Sequence, residues 1–126
     1  MKPQIRPYQP GAEYWFPEGC YIDELLNDPN DPVVSIARAR VPAGGGTRWH
    51  RLRGTAERYL IESGCGRVEV GVLEPREVGP GDVVIIPPDC RQRIANVGEG
   101  DLVFLAICTP RFRTADYEDL EGGSPR

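Results

Sequence analysis

Over residues 33–41 the chain reads V-V-S-I-A-R-A-R-V, and its positions fall into two alternating sets. Val33, Ser35, Ala37, Ala39 and Val41 share one side; Val34, Ile36, Arg38 and Arg40 share the other. A period of two places each set on one face of a strand. Runs of the same kind at 47–52, 57–62, 67–73, 83–86, 91–95 and 102–108 continue the series, punctuated by Gly, Pro, Asn and Asp. Many short strands with frequent turns predict an all-β sandwich or barrel. The final run, L-V-F-L-A-I-C, is apolar on both sides, so its outer face needs a cover as well as its inner one. The N-terminal arm or a second subunit would supply it, and a symmetric homodimer is expected.

The flanks are less regular. Residues 1–19 are rich in proline and aromatics (Tyr8, Tyr14, Trp15, Phe16) and read as an extended arm packed on a neighbouring surface. Residues 20–26 fit a strand or a short helix, and N-D-P-N-D-P at 27–32 is a turn by composition. From Asp116 the tail is acidic and reads as a short helix or a frayed end, with disorder expected over E-G-G-S-P-R. The expected organisation is an arm with first strands (1–32), a β-barrel (33–114) and an acidic tail (115–126) within a single domain.

Composition narrows the partners. A chain of 126 residues with 40% hydrophobic content is long enough for one core, and its 15 Gly and 13 Pro are dispersed as turn punctuation. A net charge of -4 with no basic block argues against nucleic acid, because counterion release needs clustered cations. No apolar run is long enough for a bilayer and the first residues hold no signal-like apolar stretch, so no membrane partner and a cytoplasmic location are expected. Cys20, Cys65, Cys90 and Cys108 form no C-x-x-C pair and read as reduced, partly buried small residues.

The chemistry centres on the only histidine, His50. Around it the chain reads G-x5-H-x-L-x4-E-x6-G, from Gly44 through His50, Leu52 and Glu57 to Gly64. From Gly81 it reads G-D-V-V-I-I-P-P-D-C-R-Q-R-I-A-N, ending at Asn96. The two stretches resemble the paired motifs of the cupin superfamily, G-x5-H-x-H-x(3,4)-E-x6-G and G-x5-P-x-G-x2-H-x3-N. Gly81, Pro87 and Asn96 keep their places, whereas Leu52 and Gln92 stand where the family has histidines and Asp89 stands for a glycine. The resemblance implies a double-stranded β-helix (jelly-roll or cupin barrel) with an internal cavity.

If 47–52 is one strand, Arg48, His50 and Leu52 share a face, as do Glu57 with Tyr59 and Cys90 with Gln92. Arg48, His50, Glu57, Tyr59, Cys90 and Gln92 would then ring one cavity. His50 and Glu57, helped by the amide oxygen of Gln92, are the candidate ligands for a divalent metal (Fe, Ni, Mn, Cu or Zn), with a hydrogen-bonded, metal-free pair as the competing reading. Arg48, Tyr59 and Gln92 are the candidate substrate contacts. A guanidinium fits a carboxylate or phosphate, and the competing reading leaves Arg48 solvated or paired with a glutamate near the barrel rim. Tyr59 reads equally as core, and Cys90 as a soft ligand or an inert apolar residue. The leading expectation is a metal-dependent oxygenase or isomerase acting on a small, anionic oxygenated or sugar-like molecule. The alternatives are a metal-free small-molecule-binding or sensor cupin, and a dimeric structural protein with a vestigial site.

Overall fold

The computed structural model of the chain describes residues 1–122. Residues 123–126, where most of the E-G-G-S-P-R stretch falls, lie outside them. Strands β1 (Tyr14–Phe16), β2 (Cys20–Leu26), β3 (Ser35–Val41), β5 (Ala56–Ser63), β8 (Val83–Ile86) and β10 (Leu102–Thr109) form a six-stranded sheet in the order β1-β2-β3-β10-β5-β8. Strands β4 (His50–Leu52), β6 (Gly66–Val70), β7 (Arg76–Val78), β9 (Gln92–Asn96) and β11 (Tyr117–Asp119) form a five-stranded sheet in the order β11-β4-β9-β6-β7. All pairings are antiparallel. The sheets pack face to face as the expected jelly roll.

The period of two sorts core from surface. Along β10, Leu102, Phe104, Ala106 and Cys108 are buried, while Val103, Leu105 and Ile107 on the other side are half-buried. Ile61 and Val41 from the same sheet meet Val68, Val70 and Ile94 from the facing one in a continuous core. Each fully buried aliphatic side chain contributes about 1.5–3 kcal/mol relative to exposure. The sheets therefore stay closed around whatever polar groups share the interior.

Three expectations are corrected and one open choice is decided. Residues 47–52 are not one strand: only His50–Leu52 is, and the chain bends at Trp49. The cause is that the Arg48 N–H donates sideways to the Glu18 carbonyl (2.7 Å) instead of to a sheet neighbour. Residues 14–16 of the arm are a strand, and 20–26 is a strand and not a helix, because β1 and β3 pair with its two edges. The run at 67–73 stops at Val70, where Gly71 adopts a positive φ and turns the chain. Over its described residues the acidic tail is neither an α-helix nor frayed. After a single 3-10 turn at Thr114–Asp116 it becomes β11 beside β4, where Glu118 meets Arg51 and Arg53, and Asp119 meets Arg48. The four cysteines are unpaired, and among the described residues no helix is long and apolar enough to cross a membrane.

Candidate functional site

The site is built across the two sheets. His50 on β4 lies opposite Gln92 on β9, and both are 1% exposed. Glu57 on β5 faces them from the other sheet, 8% exposed. The Gln92 amide donates through Nε2 to Glu57 Oε1 (2.8 Å) and accepts the Tyr59 hydroxyl on Oε1. Glu57 also accepts a weak bond from the Cys108 thiol at 3.7 Å. His50, Glu57, Gln92 and Tyr59 thus come together, but of the expected ring only Glu57 lines the cavity described below.

Arg48 and Cys90 do not join them. The bend at Trp49 breaks the alternation, so Thr47 and His50 both point inward and Arg48 points out. Its guanidinium lies against Asp119 (2.9 and 3.2 Å) and the Gly122 carbonyl (3.0 Å), which also holds the Asp119 carboxyl below the usual carboxylate range. Cys90 packs at the edge of the core. Tyr59 is 2% exposed beneath Gln92, its ring 4.4 Å from that of Phe104, so it supports Gln92 and has no surface left for substrate.

Glu18 is the residue that reading the sequence missed. A turn closed by the Gly19 N–H to the Phe16 carbonyl (3.0 Å) lays Glu18 against the segment leading into β4. Gly19 has a φ of +118°, and a Cβ there would stand 2.3 Å from the Gly46 carbonyl oxygen, so only glycine permits the approach. Glu18 Oε2 then lies 3.2 Å from His50 Nε2. The other ring nitrogen, Nδ1, is 2.6 Å from the Arg48 carbonyl, which can only accept, so Nδ1 carries a proton. A second proton must therefore lie between Nε2 and Glu18 for that contact to be a hydrogen bond. The Tyr117 ring stacks on the imidazole at 5.3 Å and 26°. The P-E-G triplet at 17–19 is a turn signal, but nothing local in it indicates that the turn faces His50.

Glu18 and Glu57 open onto one cavity of about 50 Å³, walled on the other sides by Tyr14, Phe16, Glu24 and Phe112. A water needs about 10–15 Å³ by this measure, so the space suits a ligand of a few heavy atoms. Burial, and then the nearby Glu18 carboxylate, push the Glu57 carboxyl up to about 7, against the opposing pull of His50 and the Gln92 and Cys108 hydrogen bonds. The Cys108 thiol is pushed far upward by burial and Glu57, so it stays protonated and is no nucleophile.

The expected metal set does not fit this arrangement. Leu52 offers no donor atom, and Gln92 turns its oxygen to Tyr59 and its N–H to Glu57. His50 uses one nitrogen on a carbonyl and the other on Glu18, and both Glu57 oxygens accept protein donors. Among the described residues no three His, Cys, Asp or Glu side chains converge on a common point.

The model of the family described as Cupin domain matches residues 37–108. An uncharacterised protein of Methanocaldococcus jannaschii is 36% identical over 107 residues, which are 82% of this chain and 84% of the relative. An (R)-mandelonitrile lyase of Granulicella tundricola is 32% identical over 80 residues, 62% of this chain and 59% of the lyase. Among solved structures, a cupin-like protein of Thermotoga maritima superposes with a TM-score of 0.74 at 21% identity, covering 93% of this chain and 88% of that one.

Proposed function

The chain belongs to the cupin family, and from that premise we propose that it is a small-molecule cupin whose pocket moves a proton on its ligand as a lyase or isomerase, using its own side chains. One observation carries this reading. Glu57, poised near neutrality, faces the same cavity as Glu18, and Glu18 is held on His50. A carboxyl whose pKa lies close to the working pH is suited both to give and to take a proton. Gln92, itself fixed by Tyr59, orients Glu57, while the Arg48 carbonyl and the Tyr117 ring fix His50 and through it Glu18. The partial likeness to a lyase supports this reaction class, without extending to that enzyme's substrate.

A metal-free binding module is the second reading. It is favoured by the finding that, among the described residues, every buried side-chain nitrogen and oxygen already has a hydrogen-bond partner. Deuterium uptake and cleavage in a panel of small hydroxy and oxo compounds, followed by proton NMR in D2O, separates the two. The wild-type protein is expected to accelerate one of these reactions for a compound that also raises its melting temperature. Glu57→Gln is expected to lose about 10²–10⁴-fold in rate while keeping the thermal protection. Turnover undiminished in Glu57→Gln ends the acid–base reading, and protection with no turnover of any protecting compound assigns the binding module.

A further inference from the structure

We propose that this pocket selects small ligands carrying a cationic nitrogen, such as an ammonium group, and turns anions away; the inference rests on the cavity being the small-molecule site. Its lining holds Glu18, Glu24 and Glu57 and contains no lysine, arginine or histidine. Of the arginines on the strands around it, Arg38 pairs with Glu62, Arg40 with Glu13 and Arg51 with Glu118, while Arg58 donates to the Thr109 hydroxyl; Arg48, ahead of β4, pairs with Asp119. Arg111 donates to Asn27 at the rim but stands outside the lining. An anion entering here would lose its hydration and meet no compensating charge, which is the costly case for a buried ion.

A cation meets the opposite surroundings. Glu24 accepts the Tyr14 hydroxyl (3.0 Å) and takes part in none of the described salt bridges; Arg111 and Arg113 line the hollow on its other side without being ion-paired to it. Even where His50 balances Glu18, Glu24 remains. Tyr14, Phe16 and Phe112 supply the aromatic part of the wall, with Phe16 and Phe112 meeting edge to face at 6.1 Å. Aromatic rings and carboxylates in one lining are surroundings in which an ammonium gains from ion pairing and, over a ring, from its quadrupole. The acidic groups around the cavity respond to this field in the same sense: Tyr14 is raised by burial and then by Glu24, and Glu57 by burial and then by Glu18.

Three probes of similar size and different charge test the inference: ethylammonium, 1-propanol and propionate, titrated at constant ionic strength into isotopically labelled protein. Amide and methyl shifts at Ala37, Ala106 and Cys108 report the cavity. Ethylammonium is expected to bind about tenfold more tightly than 1-propanol, and propionate not to saturate. Glu24→Gln keeps an acceptor for Tyr14 on an exposed position and should fold normally; it is expected to reduce the ammonium preference several-fold and leave propanol binding unchanged. Glu18→Gln in the same background should reduce it further. Propionate binding in the cavity as tightly as ethylammonium, or an ammonium preference that survives both substitutions, overturns the inference while leaving the pocket in place. If none of the probes shifts these resonances saturably, the pocket reading falls and this inference with it.

Discussion

A carboxyl moved from 4.5 to about 7 by its surroundings bears on folding as well as on chemistry. Between those two values the folded chain keeps a proton that the unfolded chain has lost. Stability from this group is therefore full below about 4.5, falls as pH rises toward 7, and is gone above it. The shift corresponds to at most about 3 kcal/mol, an upper bound because Glu57 borders a cavity that admits solvent. Glu57→Gln preserves the acceptor for Gln92 and removes the titration. Guanidinium denaturation of both proteins from pH 4 to pH 8 should show the wild type losing up to that amount relative to the variant; a difference that stays constant with pH would mean Glu57 is not held in its neutral form. At this scale the motif spacing brings His50, Glu57 and Gln92 together, as the fold does, because each sits on a strand whose direction is set by its immediate neighbours. Arg48 was misplaced because the alternation rule assumes an unbroken strand, and the bend at Trp49 removes that assumption. Glu18 was invisible because its contact with His50 joins segments far apart in sequence.

The turn between β1 and β2 is the element that completes the site. It carries Glu18, and the hairpin it closes supplies the wall formed by Tyr14, Phe16 and Glu24. Everything there depends on Gly19, whose φ and contact with the Gly46 carbonyl both exclude a side chain. Gly19→Ala is expected to cost about 2 kcal/mol or more and to pull Glu18 away from the imidazole, shifting the His50 ring resonances. Gly100→Ala, at a position with ordinary φ and open space around it, serves as the neutral comparison. Urea denaturation of the pair checks the cost, and equal stabilities would remove the turn from the argument. β3 was legible because seven alternating residues display the period, and β10 because an apolar run bounded by turns fits a strand covered on both faces, whereas β2, as long as β3, fitted a helix as well. The three-residue strands β1, β7 and β11 were not legible, since so short a run shows barely one repeat. Their strand character comes from the partner: β11 forms because β4 offers it an edge and three nearby arginines match its acids.

On the scale of the whole molecule, the two sheets of the jelly roll are linked through the site by side-chain hydrogen bonds, from Gln92 on one sheet to Glu57 and Tyr59 on the other. In the motif that this chain resembles, positions 52 and 92 carry imidazoles, and an ion shared among such ligands would tie the sheets together instead. If amide bonds have taken over that link, melting should not respond to metal. Wild-type protein is expected to melt at the same temperature with a chelator, with added nickel and with added manganese. The Leu52→His, Gln92→His double variant is expected to bind nickel and to melt higher in its presence, by an amount that grows with free metal as mass action requires, about 2.7 kcal/mol at a hundredfold excess over the dissociation constant. Adding His50→Ala to the double variant should abolish the response, which ties it to this site and not to the surface. Wild-type protein that is purified with stoichiometric metal, loses it in Glu57→Ala and melts lower when stripped would reverse the argument. The hydrogen bonds around Glu57 would then describe only the arrangement into which the side chains relax without an ion, and the proton chemistry assigned to the pocket would have to be rebuilt around one.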